Sequence, residues 1–132
     1  MFPGSLIIPQ DNSGVKVAKI IKIYKRNYRH AVGDLLLVSA RKIKLRTVKH
    51  VIVRKKKITK ITKGQLLKAL LVFNTQKFER STLLVNGNKN SIVTIKKNFF
   101  YELIGTRVRT PIFLEVRKFK LAKLFALAYS II

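Results

Sequence analysis

Apolar and cationic positions alternate along much of the chain. Val15 and Val17, then Ile21 and Ile23, are interleaved with Lys16 and Lys22, a period of two that predicts a strand with one wet face. The alternation slips one step around residues 18–20, which predicts a bulge or a strand buried on both sides. Gly33-Asp34 punctuates the chain before an apolar stretch at 35–40, and Lys63-Gly64 does the same before 66–73. That second stretch reads Leu-Leu-Lys-Ala-Leu-Leu and fits helix and strand equally, because periodicity does not decide so short a run. Residues 83–85 and 92–95 flank Asn86-Gly87-Asn88, a hairpin signal since Asn-Gly accepts positive φ. A further strand is expected at 99–103. Near the end, Leu121, Leu124, Phe125 and Ala128 recur at helical spacing, with Lys118, Lys120 and Lys123 elsewhere around the wheel, a short amphipathic helix. Short strands separated by regular turn signals predict a mainly β fold, a small barrel. Neither an internal repeat nor a linker interrupts it, so residues 1–132 are expected to form a single domain.

Charge changes the picture. The chain carries 29 Lys plus Arg against five acids, a net charge of +24, while 48% of its residues are hydrophobic. Disordered basic tails lack such apolar content. A folded body this charged repels itself and is tolerable beside a polyanion. Lipid-binding segments concentrate their charge on an amphipathic helix or beside an apolar anchor. Here the cations are spread among strand-like apolar residues, which favours nucleic acid and no membrane. No apolar run approaches the ~18 residues of a membrane span. The first eight residues read as neither a secretory signal nor a transit peptide. Without cysteine there is no disulfide framework and no thiolate site, and two histidines with scattered acids make no credible metal ligand set, so no cofactor is expected.

The candidate chemistry lies in the basic runs. Lys25, Arg26, Tyr28, Arg29 and His30 combine cations for phosphate with a ring able to stack on a base. Arg41, Lys42, Lys44, Arg46, Lys49, Arg54, Lys55, Lys56 and Lys57 form the densest run, in a basic loop at about 42–62; Lys96, Lys97 and Arg109 complete the expected RNA contacts. Within the loop, Val48, Val51, Ile52 and Val53 predict an ordered hairpin rather than a solvated coil. His30 and His50 could be read as a ribonuclease's acid and base, and a free-standing nucleic-acid-binding barrel that stacks single strands is another reading. Both histidines sit in basic runs, which favours RNA contact over catalysis. Asp11 has no carboxylate partner and reads as part of a turn, with its side chain and that of Ser13 capping backbone N–H groups. Gly14 and Gly105 are both expected at tight turns with positive φ, where a β-branched residue would be strained. In Phe99-Phe100-Tyr101, alternate faces put Phe100 in the core and the other two rings outward.

The punctuation resembles a known family. Asp11-Asn12-Ser13-Gly14, then Val32-Gly33-Asp34, then Lys63-Gly64 with Leu67-Lys68-Ala69, then Ile104-Gly105-Thr106-Arg107 with Pro111, then Lys120, Lys123, Leu127 and Ala128 stand in the order and near the spacing of the large-subunit ribosomal protein family called L-fourteen in bacteria. The resemblance spans nearly the full chain. It implies a five-stranded β-barrel, a projecting β-ribbon and a short C-terminal helix. The implied partners are large-subunit rRNA, neighbouring large-subunit ribosomal proteins, small-subunit rRNA through a bridge, and the ribosome silencing factor, with partner docking at Thr106, Arg107, Lys120 and Lys123. The implied role is architectural, not enzymatic. Gln65 replaces the family's Asp, Lys96-Lys97 stands where an acid and Gly are usual, the 42–62 loop is longer than the bacterial one, the loop that normally precedes Ile104 is missing, and Tyr129-Ser130 replaces a closing Pro-Glu. Such divergence, with a bias toward Lys, Ile, Asn, Phe and Leu, favours an organelle-encoded protein of the mitochondrial ribosome, the alternative being the bacterial cytoplasm.

Replacing His30 and His50 together with Ala is expected to leave incorporation into ribosomes intact and to remove no activity. A reproducible RNA-cleaving activity of the purified chain that disappears in the double variant would reverse the non-enzyme reading.

Overall fold

The computed structural model describes residues 2–24, 32–44, 61–73, 90–96, 102–119 and 122–131. Five strands, β1 (Leu6–Pro9), β2 (Val15–Tyr24), β3 (Leu35–Ile43), β4 (Leu66–Phe73) and β5 (Ser91–Ile95), close into a barrel in chain order. Successive strands pair antiparallel, and β1 closes on β5 in parallel. Closure satisfies the ladder groups that an open sheet would leave at its edges.

The irregularity expected in β2 is present but displaced: residues 18–20 are in register, and the shifts fall on either side of them. Val15 faces Ile43, Val17 faces Lys42 and Ala18 faces Ala40; farther on, Ile20 faces Val38 and Lys22 faces Leu37. At each shift a strand carries an extra residue. Consecutive side chains then reach solvent where strict alternation would bury one of them, and both Ile21-Lys22 and Arg41-Lys42 are exposed.

β4 is a strand, and its burial explains why its sequence was ambiguous. Leu67, Ala69 and Leu71 pack into the barrel interior with Ile7, Val15, Ala18, Ile20, Leu36, Val38, Ala40 and Ile92. Leu70 and Val72 point the other way, into a second cluster with Val93, Ile95, Val108, Ile112, Val116 and Leu124. A strand covered on both faces reads as a near-continuous apolar run, without the alternation of a half-wet strand. The second cluster exists because the C-terminal segment crosses the outside of β4 and β5. Val108 bridges Asp11 on one side and Ala128 on the other, and Ile112 bridges Ile131. A 3-10 turn at Leu114–Phe119 and the helix α1 (Ala122–Leu127) complete the cover. In α1 the expected stripe is recognisable: Leu124 is fully buried, and Phe125 and Ala128 are packed against the same cluster. A helix this short is unstable alone and is held by that packing. Phe113 extends the cluster, stacking on Phe73 with ring centroids 5.1 Å apart.

Elsewhere the turn before β4 is tied by the residue that departs from the family pattern, since the Gln65 Oε1 accepts the Thr62 N–H at 3.0 Å. Of the strand expected at 99–103, Leu103 forms a bridge to Ile95; the aromatic run 99–101 lies outside the described residues. So do the Asn86-Gly87-Asn88 turn, the strand at 83–85, Leu121, and residues 45–60 of the basic loop. The projecting ribbon is not found among the described residues.

Burial on both faces of β4 has a direct test. Leu70→Ala and Leu71→Ala, adjacent in sequence and opposite in direction, are each expected to cost about 2–5 kcal/mol in urea unfolding, while Lys68→Ala stays near neutral. A near-neutral effect at either leucine would contradict it.

Candidate nucleic-acid and partner interface

Two of the loops singled out from sequence meet at one end of the barrel. Asp11 is 3% exposed. Its Oδ1 accepts hydrogen bonds from the Ser13 N–H and the Ser13 hydroxyl, closing the expected turn. Its Oδ2 reaches β5, accepting the Thr94 N–H at 2.7 Å and the Thr94 hydroxyl at 2.6 Å. A buried carboxylate is tolerated when donors surround it in this way. Asp11 is therefore a tie between loop and barrel as well as a turn residue, a role its sequence context did not signal.

Asn12, fixed by that tie, clasps the second loop. Its Oδ1 accepts the N–H groups of Thr106 and Arg107 at 2.6 and 3.1 Å, and its Nδ2 donates to the Thr106 hydroxyl at 2.7 Å. The Arg109 N–H donates to the Gln10 carbonyl at 2.9 Å, continuing the attachment. Gly14 sits at φ +100°, as expected of its turn, but Gly105 does not adopt positive φ. It is confined by proximity instead: a Cβ there would lie 2.8 Å from the Asn12 Oδ1 and 3.0 Å from the Asp11 Cβ. The expectation of left-handed backbone at Gly105 is corrected accordingly.

The clasp leaves Thr106, Arg107 and Arg109 outward. With Asn12, Val108 and the 83% exposed Tyr129 they line an open groove of about 690 Å³. Residues 107–109 run extended, so the two arginines share one side while Val108 is buried beneath them. Among the described residues no carboxylate pairs with either guanidinium. Lys123 is exposed on α1 and adds to the field on Glu102. Lys96 is held by Glu102 at 2.9 Å. The Lys96 hydrogen bond, then its charge, holds the Glu102 carboxyl below its ordinary range. Any stabilisation from this half-exposed pair is present above the unfolded-state pKa and fades as pH falls through the lowered one.

Of the other expected contacts, Arg41, Lys42 and Lys44 are exposed at the end of β3, where the Lys44 N–H donates to the Gly14 carbonyl at 2.7 Å. Lys25, Arg26, Tyr28, Arg29, His30, Arg46, Lys49, His50, Arg54, Lys55, Lys56, Lys57, Lys97 and Lys120 lie outside the described residues. The structure adds cations that the sequence reading did not count among the RNA contacts: Lys16, Lys19, Lys22 and Lys68 stand on the outer face of the strands. The available signal was their placement opposite inward apolar residues.

Comparison with known proteins agrees with this geometry. The family model described as Ribosomal protein L14p/L23e matches residues 3–132. The large ribosomal subunit protein uL14 of Carsonella ruddii is 30% identical over 125 residues, covering 92% of this chain and 91% of that protein. The large ribosomal subunit protein uL14 of Petrotoga mobilis is 31% identical over 124 residues, covering 92% and 90%.

The clasp predicts different behaviour at the two glycines. Gly105→Val and Gly14→Val should each destabilise by about 1–3 kcal/mol in chemical unfolding. Combined with Asn12→Ala, the Gly105→Val penalty should shrink, because the atom it collides with is gone, while that of Gly14→Val should not. Strict additivity at Gly105 would mean that Asn12 does not confine it.

Proposed function

The chain belongs to the ribosomal protein L14p/L23e family, a structural component of the large ribosomal subunit, and on that premise we propose that its barrel binds large-subunit rRNA by neutralising phosphates. The observation that carries the reading is the segregation of charge. The chain bears +24, yet the described acids, Asp11, Asp34, Glu102 and Glu115, are buried or half-buried while most of the described cations are exposed. Lys supplies point charge and Arg adds a fork that fits phosphate. Counterion release on contact supplies the affinity, and rigid strands hold rRNA segments in fixed relation. No reaction is assigned to it.

The groove over the clasp is the surface proposed for partners. Thr106 and Arg107 are presented there on a backbone that Asn12 immobilises, which suits docking without rearrangement. Small-subunit rRNA through a bridge, a neighbouring ribosomal protein and the ribosome silencing factor are the proposed occupants, with Lys120 and Lys123 in the same role. The proposed setting is a mitochondrial ribosome, supported by composition and divergence; the relatives named above are bacterial proteins.

The isolated chain should bind structured RNA with a log–log salt slope of roughly −5 to −9, corresponding to about six to ten phosphates. The native protein should sediment with the large subunit through moderate salt. A slope near zero, or a protein that sediments alone, would overturn the reading.

A further inference from the structure

The C-terminal segment covers the outside of β4 and β5, whereas Lys16, Ile21 and Lys22 on β2 and Arg41 and Lys42 at the end of β3 are exposed. We infer that this outer face, spanning β2, β3 and the start of β4, is a seat for double-stranded RNA. The inference rests on the RNA-binding reading above and adds the surface and the form of RNA it takes.

Six cations stand on this face: Lys16, Lys19 and Lys22 from β2, Arg41 and Lys42 from β3, and Lys68 from β4. Their positions are set by the ladder. Lys22 pairs with Leu37, which pairs with Lys68, so the two lysines flank one strand with their backbones about 10 Å apart. The shifts near Val17 place Lys16, Arg41 and Lys42 together at the end of the β2–β3 pair. Lys19 and Lys68 are half-buried, the burial expected when a lysine stem lies along apolar surface and its charge stays in water. None of the four strands β1 to β4 contains an acid. The surface is therefore a rigid array of one sign, and its partner is a rigid polyanion.

Single-stranded binding uses exposed rings as stacking platforms. The one aromatic residue on the outer face of these strands is Tyr24, and the Lys22 ammonium already lies over it, 5.2 Å from the ring centroid. Among the described residues of these strands fixed charges outnumber exposed rings, which suits phosphates at fixed spacing, as an A-form duplex provides along its wide, shallow minor groove. Between the cations, Leu6, Ile21 and Leu66 are exposed, apolar contacts for the sugar surface of that groove.

The test uses the full chain and three probes: a 16-base-pair RNA duplex, one of its strands alone, and vesicles rich in phosphatidylserine. The duplex should bind best. Joint replacement Lys16→Gln, Lys19→Gln, Lys22→Gln and Lys68→Gln should reduce the duplex salt slope by about three to four. Removing four charges outside these strands at residues given no binding role, by Lys77→Gln, Arg80→Gln, Lys89→Gln and Arg117→Gln, should change it by less than one. Circular dichroism and urea unfolding confirm that both variants fold. A steep slope that the first variant leaves unchanged, or that both variants lower equally, would overturn the seat while leaving RNA binding intact. Preference for the single strand or for the vesicles would also overturn it. A wild-type slope near zero on both RNAs would instead overturn the underlying reading.

Discussion

The Asp11 carboxylate is where the loops, the barrel and the exposed groove are joined. Removed from water, it is stable there because both oxygens are occupied, one by its own turn through Ser13 and one by Thr94 on β5. That fixes the neighbouring Asn12, whose amide has two jobs that need opposite hydrogen-bonding character and performs both, accepting from two backbone N–H groups and donating to a hydroxyl. Thr106 and Arg107 are exposed, yet their backbone is as constrained as a strand's. A surface needed for recognition is thus held by a polar chain that starts in the interior.

The same economy governs the apolar residues. One strand, β4, serves two cores, and the C-terminal segment is less an appendage than the second layer of a two-layer structure on that side. Its 3-10 turn and six-residue helix could not persist unaided. Covering β4 and β5 from outside also sets a packed part of the wall apart from one that the described residues leave open. Lys16, Lys19, Lys22, Arg41, Lys42 and Lys68 stand on the open part, where no carboxylate on the strands offsets them.

Part of the barrel was legible in the sequence because β2 interleaves apolar residues and lysines, though its ladder shifts leave Ile21 exposed, and because turn signals bracket β3, whose half-buried outward positions include Leu35 and Leu37. β4 was not, since burial on both faces erases the alternation and the covering residues lie far along the chain. The short helix announced itself by spacing, confirmed at Leu124. The loop motifs were recognisable as patterns, but nothing local said that they touch; Asn12 and Thr106 are 94 positions apart. That gap explains the error at Gly105, where a glycine required by a distant side chain was attributed to backbone sign. The outward lysines of β2 were visible as strand punctuation, and their meaning as a surface appeared once cross-strand neighbours were known. The densest basic runs, at 25–30 and 46–57, lie outside the described residues.

The parallel pairing of β1 with β5 has a temporal consequence. β2, β3 and β4 follow one another as a meander and can zip from local contacts as they emerge during synthesis. β1 cannot be locked on its second side until β5 exists, and the Asp11 to Thr94 bonds that seal this junction span 83 positions. Loop closure over that distance is an entropic toll collected late. The outer array of lysines is thus assembled before the barrel shuts, and the loop clasp with its arginine groove only afterwards. Folding order therefore gives the molecule a sequence of maturity, with its basic wall formed first and its recognition loops set last.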